Sequence, residues 1–351
     1  MSSTRWLSKS RGLVLGLSLG DAAAGSGVND PRVRVLHAGA ATELAAWTIE
    51  GLLREFVAEG WAITAQSCEV QHAYQRWALL RGAHPTSDLW NPVATVEGSP
   101  ARGWLLDELG TRAVRGSSPS MLSVVTTGLP SQQPSSRAIV KGLPYAILAG
   151  ADDFVTSGPD KVAVYAGLLA SRTHTHPEAV GGAAVSTLIL AHCLRATEPL
   201  RTVMESCRDG LAYLGGTSPL TGFDVKLIID TIEAGAGHPG DGTVIRRLAP
   251  DDSALSSLRA AIYVAMSCSE ADDARQALEL SAAAPDQRSV AAIALAFLGA
   301  LRGYEALPQD LVNRLELGWT MDRLAIDLAT RVSDRSWDSS DDARLRTKYP
   351  A

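Results

Sequence analysis

The chain predicts an all-α fold built as a single compact multi-helix domain, and three observations carry that reading. Aromatic residues make up only 5% of the 351 residues, while glycine alone numbers 31 and alanine is plentiful. Small side chains suit close-packed helices better than a β-sandwich. Apolar residues recur at helical spacing, as in Ala45, Ile49, Leu52, Leu53 and Phe56. No internal repeat and no interdomain linker interrupts the pattern, and a 46% hydrophobic content can fill one large core. The domain is expected over residues 6–332. Residues 333–351, rich in Asp, Ser and Arg, are expected as a mobile tail.

The elements follow in order. A buried helix is expected over about 10–25, where Gly12, Gly16 and Gly20 permit a close neighbour. The next covers 42–59, with Thr42 as its N-cap. Residues 69–80 form a third, stopped by Arg81-Gly82-Ala83-His84-Pro85. The Ser-, Thr-, Pro- and Gln-rich stretch 117–136 reads as a long loop with one helical turn at most. Helices are expected at 136–148, 161–171 and 178–195, the last apolar, rich in small residues and therefore central. Four shorter ones at 198–214, 221–234, 253–265 and 271–282 lead to 289–301. A last helix covers 319–330.

Composition excludes several function classes. A net charge of -6 speaks against a nucleic-acid surface, which is usually basic, and leaves room for one phosphorylated small molecule. Cys68, Cys193, Cys207 and Cys268 are widely spaced with no Cys-x-x-Cys pair, as in the reduced thiols of a cytosolic protein. The apolar run from Leu13 to Leu19 is short, ends near Asp21 and lacks a cleavage site, so no signal peptide is expected. No run reaches about 18 apolar residues, so no membrane partner is expected and the location is read as cytoplasmic.

Four segments carry a resemblance. The first is Gly12-Leu13-Val14-Leu15-Gly16-Leu17-Ser18-Leu19-Gly20-Asp21-Ala22. The second is Lys141-Gly142-Leu143-Pro144, and the third is Thr173-His174-Thr175-His176-Pro177-Glu178-Ala179. The fourth, Ala283-Ala284-Pro285-Asp286-Gln287-Arg288-Ser289-Val290, runs into a small-residue apolar helix. In this order they resemble the ADP-ribosylglycohydrolase family, of the dinitrogenase reductase-activating glycohydrolase type. Its counterparts are a Gly-x-x-x-Gly-Asp-Ala helix, an Arg shortly before a Pro, a Thr-His element and a closing Gly-Gly-Asp-x-Asp-Thr.

The resemblance implies an all-α fold and a pair of Mg²⁺ ions, and this sequence departs from the family at the ligands. The family's early Thr-Asp-Asp-Thr is Gly39-Ala40-Ala41-Thr42 here, followed by Glu43. Its closing second Asp is Arg288, and its Thr is Ser289. Of four acidic ligand positions only Asp286 is left. Mg²⁺ is a hard ion that needs carboxylate oxygens, and a guanidinium adds fixed positive charge. No metal ligand and no Mg²⁺ cofactor are therefore expected.

Each candidate has a plain reading beside the functional one. Asp286 caps its helix, lines a pocket as a former ligand, or does both. Arg288 is a solvated helix-start residue, or it fills vacated metal space, paired with Asp286 or Glu43 or bound to pyrophosphate. Glu43 is a first-turn acid, or the pocket's movable acid. Ser135, Ser136 and Arg137 stand where the family has an Asn-Gly loop near the ligand's phosphates. They either contact an anion or supply an ordinary N-cap. His174 and His176 lack further ligands at zinc-like spacing. Thr173 or Thr175 is expected to cap the helix starting at Pro177, with His174 nearer the pocket. Asp21 is read as structural, satisfying backbone donors.

The expected ligand-contacting set is thus Thr42, Ser135, Ser136, Arg137, His174, Asp286, Arg288 and Ser289. Asp286 and Glu43 are the candidates for a catalytic role. Active family members cleave the glycosidic bond joining ADP-ribose to a side chain or small molecule. The function implied here is an inactive homologue that binds ADP-ribose or a related nucleotide, or a structural or protein-partner-binding role. The alternative is a metal-independent hydrolase.

Overall fold

A computed structural model describes residues 3–26, 32–59, 68–83, 103–110, 112, 118–150, 158–215, 222–237, 239–268, 274–333 and 339–350. Among the described residues there are eighteen α-helices and no strand, only isolated bridges. The first half holds α1 (Ser3–Ala23), α2 (Ala40–Glu59), α3 (Glu69–Leu80), α4 (Trp104–Gly110), α5 (Pro119–Thr127), α6 (Arg137–Gly142), α7 (Pro159–Ser171) and α8 (Pro177–Arg195). Then come α9 (Leu200–Ser206), α10 (Arg208–Gly215), α11 (Val225–Gly237), α12 (Gly242–Leu248), α13 (Ala254–Ser267) and α14 (Ala274–Ser281). The last four are α15 (Gln287–Arg302), α16 (Gln309–Val312), α17 (Gly318–Ser333) and α18 (Ser339–Lys348).

The centre of the fold is the contact between α1 and α15. Gly12, Gly16 and Gly20 recur every four residues on α1 and meet Gly299, Leu295 and Ala291, which recur every four on α15. A Cβ on any of the three glycines would lie under 3.0 Å from α15 backbone atoms. The two helices therefore touch backbone to backbone, ridge into groove. This contact places the end of α1 beside the start of α15.

Around that pair, α8 packs on α7, α6 and α15, while α13 packs on α11 and α15. One helix among the described residues, α8, is long and apolar enough to span a membrane by length and composition. Most of that span is buried against other helices, so its apolarity serves the core.

Some expectations needed revision. The 117–136 stretch contains a nine-residue helix, α5. Pro119 starts it, Gly128 in a left-handed conformation ends it, and Met121, Val124 and Val125 are buried. The helix expected at 136–148 changes at Leu143 into a 3₁₀ segment, Leu143–Gly150, because Pro144 has no N–H for an α-helical bond. The helix expected at 198–214 breaks at Cys207 into α9 and α10. Short helices α4 and α12 were not anticipated. The tail expected to be mobile carries α18, and Leu345 and Tyr349 enter the core; residues 334–338 and 351 lie outside the described set.

Candidate functional site

Two helix starts meet 150 residues apart in sequence. Asp286 is the N-cap of α15, and its Oδ1 accepts the Ser289 backbone N–H at 3.2 Å. Its Oδ2 accepts the Ser136 hydroxyl at 2.6 Å. Ser136 Oγ also lies 3.0 Å from Ser289 Oγ, and Arg137 Nη1 lies 3.3 Å from the same hydroxyl. Asp286 therefore caps α15 and ties it to the start of α6. Ser135 does the ordinary N-terminal work instead, its hydroxyl accepting the Arg137 N–H at 3.2 Å.

A second acid organises the start of α2. Asp21, buried at the end of α1, accepts at Oδ2 from Gly39 N, Thr42 N and Thr42 Oγ1 at 2.9, 2.9 and 2.7 Å. The cap of this helix is thus supplied from another helix. Gly39 is small because a Cβ there would press into the Asp21 carboxylate. Ala40 and Ala41 are buried beside it. Thr42, expected as a cap and a ligand contact, spends its hydroxyl on Asp21.

Glu43 faces away, toward α3. Its Oε2 accepts from Trp77 Nε1 at 3.1 Å and is paired with the Arg81 guanidinium, which lies over the Trp77 ring. Burial lifts its pKa to about 7, against the lowering effect of Arg81 and Trp77, with Asp21 adding to the rise. Sequence reading missed these partners. A cationic and an aromatic residue four apart at the end of α3 were the available signal.

Arg288 is the clearest correction. Its side chain is exposed, with no ion pair to Asp286 or Glu43 among the described residues. It occupies the second position of α15, from which a long side chain leads outward, while Asp286 and Glu43 are already taken by other donors. It does not fill vacated metal space.

The Thr-His element also resolves differently. His176, not Thr173 or Thr175, caps α8, its Nδ1 accepting the Glu178 N–H at 3.3 Å. His174 is fully buried. Thr173 Oγ1 donates to the Ala170 carbonyl and lies 3.0 Å from His174 Nδ1. The other ring nitrogen, Nε2, is buried without a partner among the described residues. Burial, and then Lys141, push its pKa down to about 3, so the ring is neutral. Lys141 is 1% exposed, and burial lowers its pKa to about 7. Its Nζ lies 5.3 Å from the Tyr74 ring centroid. Tyr74 Oη meets Thr48 Oγ1 at 2.7 Å, and that hydroxyl also contacts the Lys141 carbonyl.

The family model for ADP-ribosylglycohydrolase matches residues 2–338. The chain belongs to that family. A solved structure described as an ADP-ribosylglycohydrolase-related protein complex shares its fold, with a TM-score of 0.56 at 18% identity over 95% of this chain and 99% of the other. No match was found among curated proteins.

The donor set decides how this family member stands toward the family's two-metal centre. Among the described residues no three His, Cys, Asp or Glu side chains come together as a metal-holding group. Asp21 Oδ2 already accepts three hydrogen bonds. Glu43 is paired away from Asp286, and Ala40 and Ala41 offer no oxygen. Two Mg²⁺ ions need several carboxylate oxygens on one side. The side chains present among the described residues do not fit them.

Proposed function

We propose that this ADP-ribosylglycohydrolase-family chain is a catalytically inactive binding protein for ADP-ribose or a related nucleotide. One observation carries the reading. The Ser136 hydroxyl bonds to Asp286 and meets the Ser289 hydroxyl, which the Arg137 guanidinium also contacts, while buried alanines stand where the family's early carboxylates would be. Hydroxyls and a guanidinium at a helix start suit a diphosphate. Without metal-activated water, a glycosidic bond is attacked slowly at neutral pH. Four widely spaced cysteines with no Cys-x-x-Cys pair agree with a cytoplasmic location.

The test is calorimetric titration with ADP-ribose, with and without Mg²⁺. Saturable, Mg²⁺-independent heat that is lost in Arg137→Ala is expected, with no release of ADP-ribose from modified arginine or serine. Absence of any heat would leave a structural or protein-partner role in place of nucleotide binding.

A second reading, metal-independent hydrolysis, draws on Glu43. A carboxyl group with a pKa of about 7 is placed for general base work near neutrality. It predicts Mg²⁺-independent ADP-ribose release that disappears in Glu43→Gln, and a background rate in the unaltered protein refutes it.

A further inference from the structure

The C-terminal segment lies beyond the residues matched by the family model, yet it is anchored in the fold. Tyr349 is buried, and its Oη donates to Asp327 Oδ2 at 2.8 Å. Lys348 Nζ pairs with the same carboxylate and lies 3.9 Å from the Trp104 ring centroid. Trp104 meets Tyr349 edge to face at 6.3 Å. Arg54 of α2 donates to the Pro350 carbonyl and also pairs with Glu50, which pairs with Arg76 of α3. The core thus presents an acid on α17 and a guanidinium on α2, and residues 348–350 engage both.

The segment also touches α4, because Trp104, the first residue of that helix, meets Lys348 and Tyr349 as well as Trp319. Five residues on, Leu109 lines a cavity with Glu43, Trp47, Trp77, Arg81, Arg112 and others. That cavity measures about 30 Å³, room for one or two waters. A small-molecule site typically needs about 300 Å³ or more. Any larger occupant beside Glu43 therefore requires a wall to move, and α4 is the wall whose inner end is tied to the C-terminal segment.

We infer that residues 345–350 form a clip that fixes α4 and so keeps the cavity beside Glu43 narrow. The inference concerns the mechanics of the wall and holds whether or not Glu43 performs chemistry. Release of the clip leaves Trp104 its contact with Trp319, loosens α4, and leaves the α1–α15 centre untouched.

The experiment is hydrogen–deuterium exchange on the full chain, comparing the unaltered protein with Tyr349→Ala and Lys348→Ala. Exchange in peptides covering 104–110 and 339–350 is expected to rise about tenfold in both variants, with α15 unchanged. Thr347→Ala, whose hydroxyl bonds only within α18, is the control and leaves exchange as it was. Should Tyr349→Ala fail to fold, Lys348→Ala decides, since it removes the contacts to Trp104 and Asp327 without emptying the buried tyrosine site. An unchanged α4 despite a released C-terminus overturns the coupling. A uniform rise that includes α15 overturns it too, by showing general destabilisation.

Discussion

Replacing Lys141 with Met tests how a buried cation without a carboxylate partner among the described residues shapes stability. Burial lowers the Lys141 pKa from its ordinary 10.5 to about 7. A lysine whose folded pKa is depressed makes the unfolded chain bind more protons between the two values, so stability rises with pH across that window. At pH 7 the folded protein has lost about half a proton relative to the unfolded chain, and by pH 8–9 nearly a whole one. Each full proton is worth about 1.4 kcal/mol per pH unit, so Lys141 alone adds about 2 kcal/mol between pH 7 and 9.

Other groups overlap this window only in part. Lys9, lowered to about 8, adds to the rise above pH 8. Glu43, raised to about 7, gives the opposite slope, but mainly between 4.5 and 7. His174 acts between about 3 and 6.5, also below the window. Urea unfolding at pH 7, 8 and 9 is the assay. Lys141→Met should raise stability at pH 7 and lose most of the slope, keeping the parts from Lys9 and Lys348, whose pKa burial also lowers. A variant that keeps the full slope, or an unaltered protein that shows none, refutes the assignment of the slope to Lys141.

Three further outcomes can be measured by the same unfolding method. Arg288→Ala should change stability by under about 1 kcal/mol, since its side chain is exposed; a larger loss would restore a buried partner. Asp21→Ala should cost about 3 kcal/mol or more, because it strips the acceptor from two backbone N–H groups and the Thr42 hydroxyl. Gly16→Ala places a Cβ under 3.0 Å from the Leu295 backbone. It should cost about 3 kcal/mol by pushing α1 from α15, with the loss appearing in the denaturation midpoint.

The sequence by itself determined the helical class, a first helix whose glycines allow close approach, and the loss of ligand carboxylates. Helical periodicity and a glycine every fourth residue are local facts, and alanines at positions 40 and 41 lack oxygen in any fold. Asp286 could likewise be read as a cap, because its donor lies three residues away. Only the tertiary structure decided which distant groups satisfy the remaining charges. Asp21 caps a helix that begins 19 residues later, Ser136 reaches Asp286 across 150 residues, and Arg81 takes Glu43 from Arg288. Such pairings depend on where helices cross, and crossing is set by side-chain ridges and grooves that no local pattern encodes. The C-terminal segment makes the same point. Its composition reads as solvated, yet one tyrosine and one lysine find a buried carboxylate on α17, and that long-range match holds it in place.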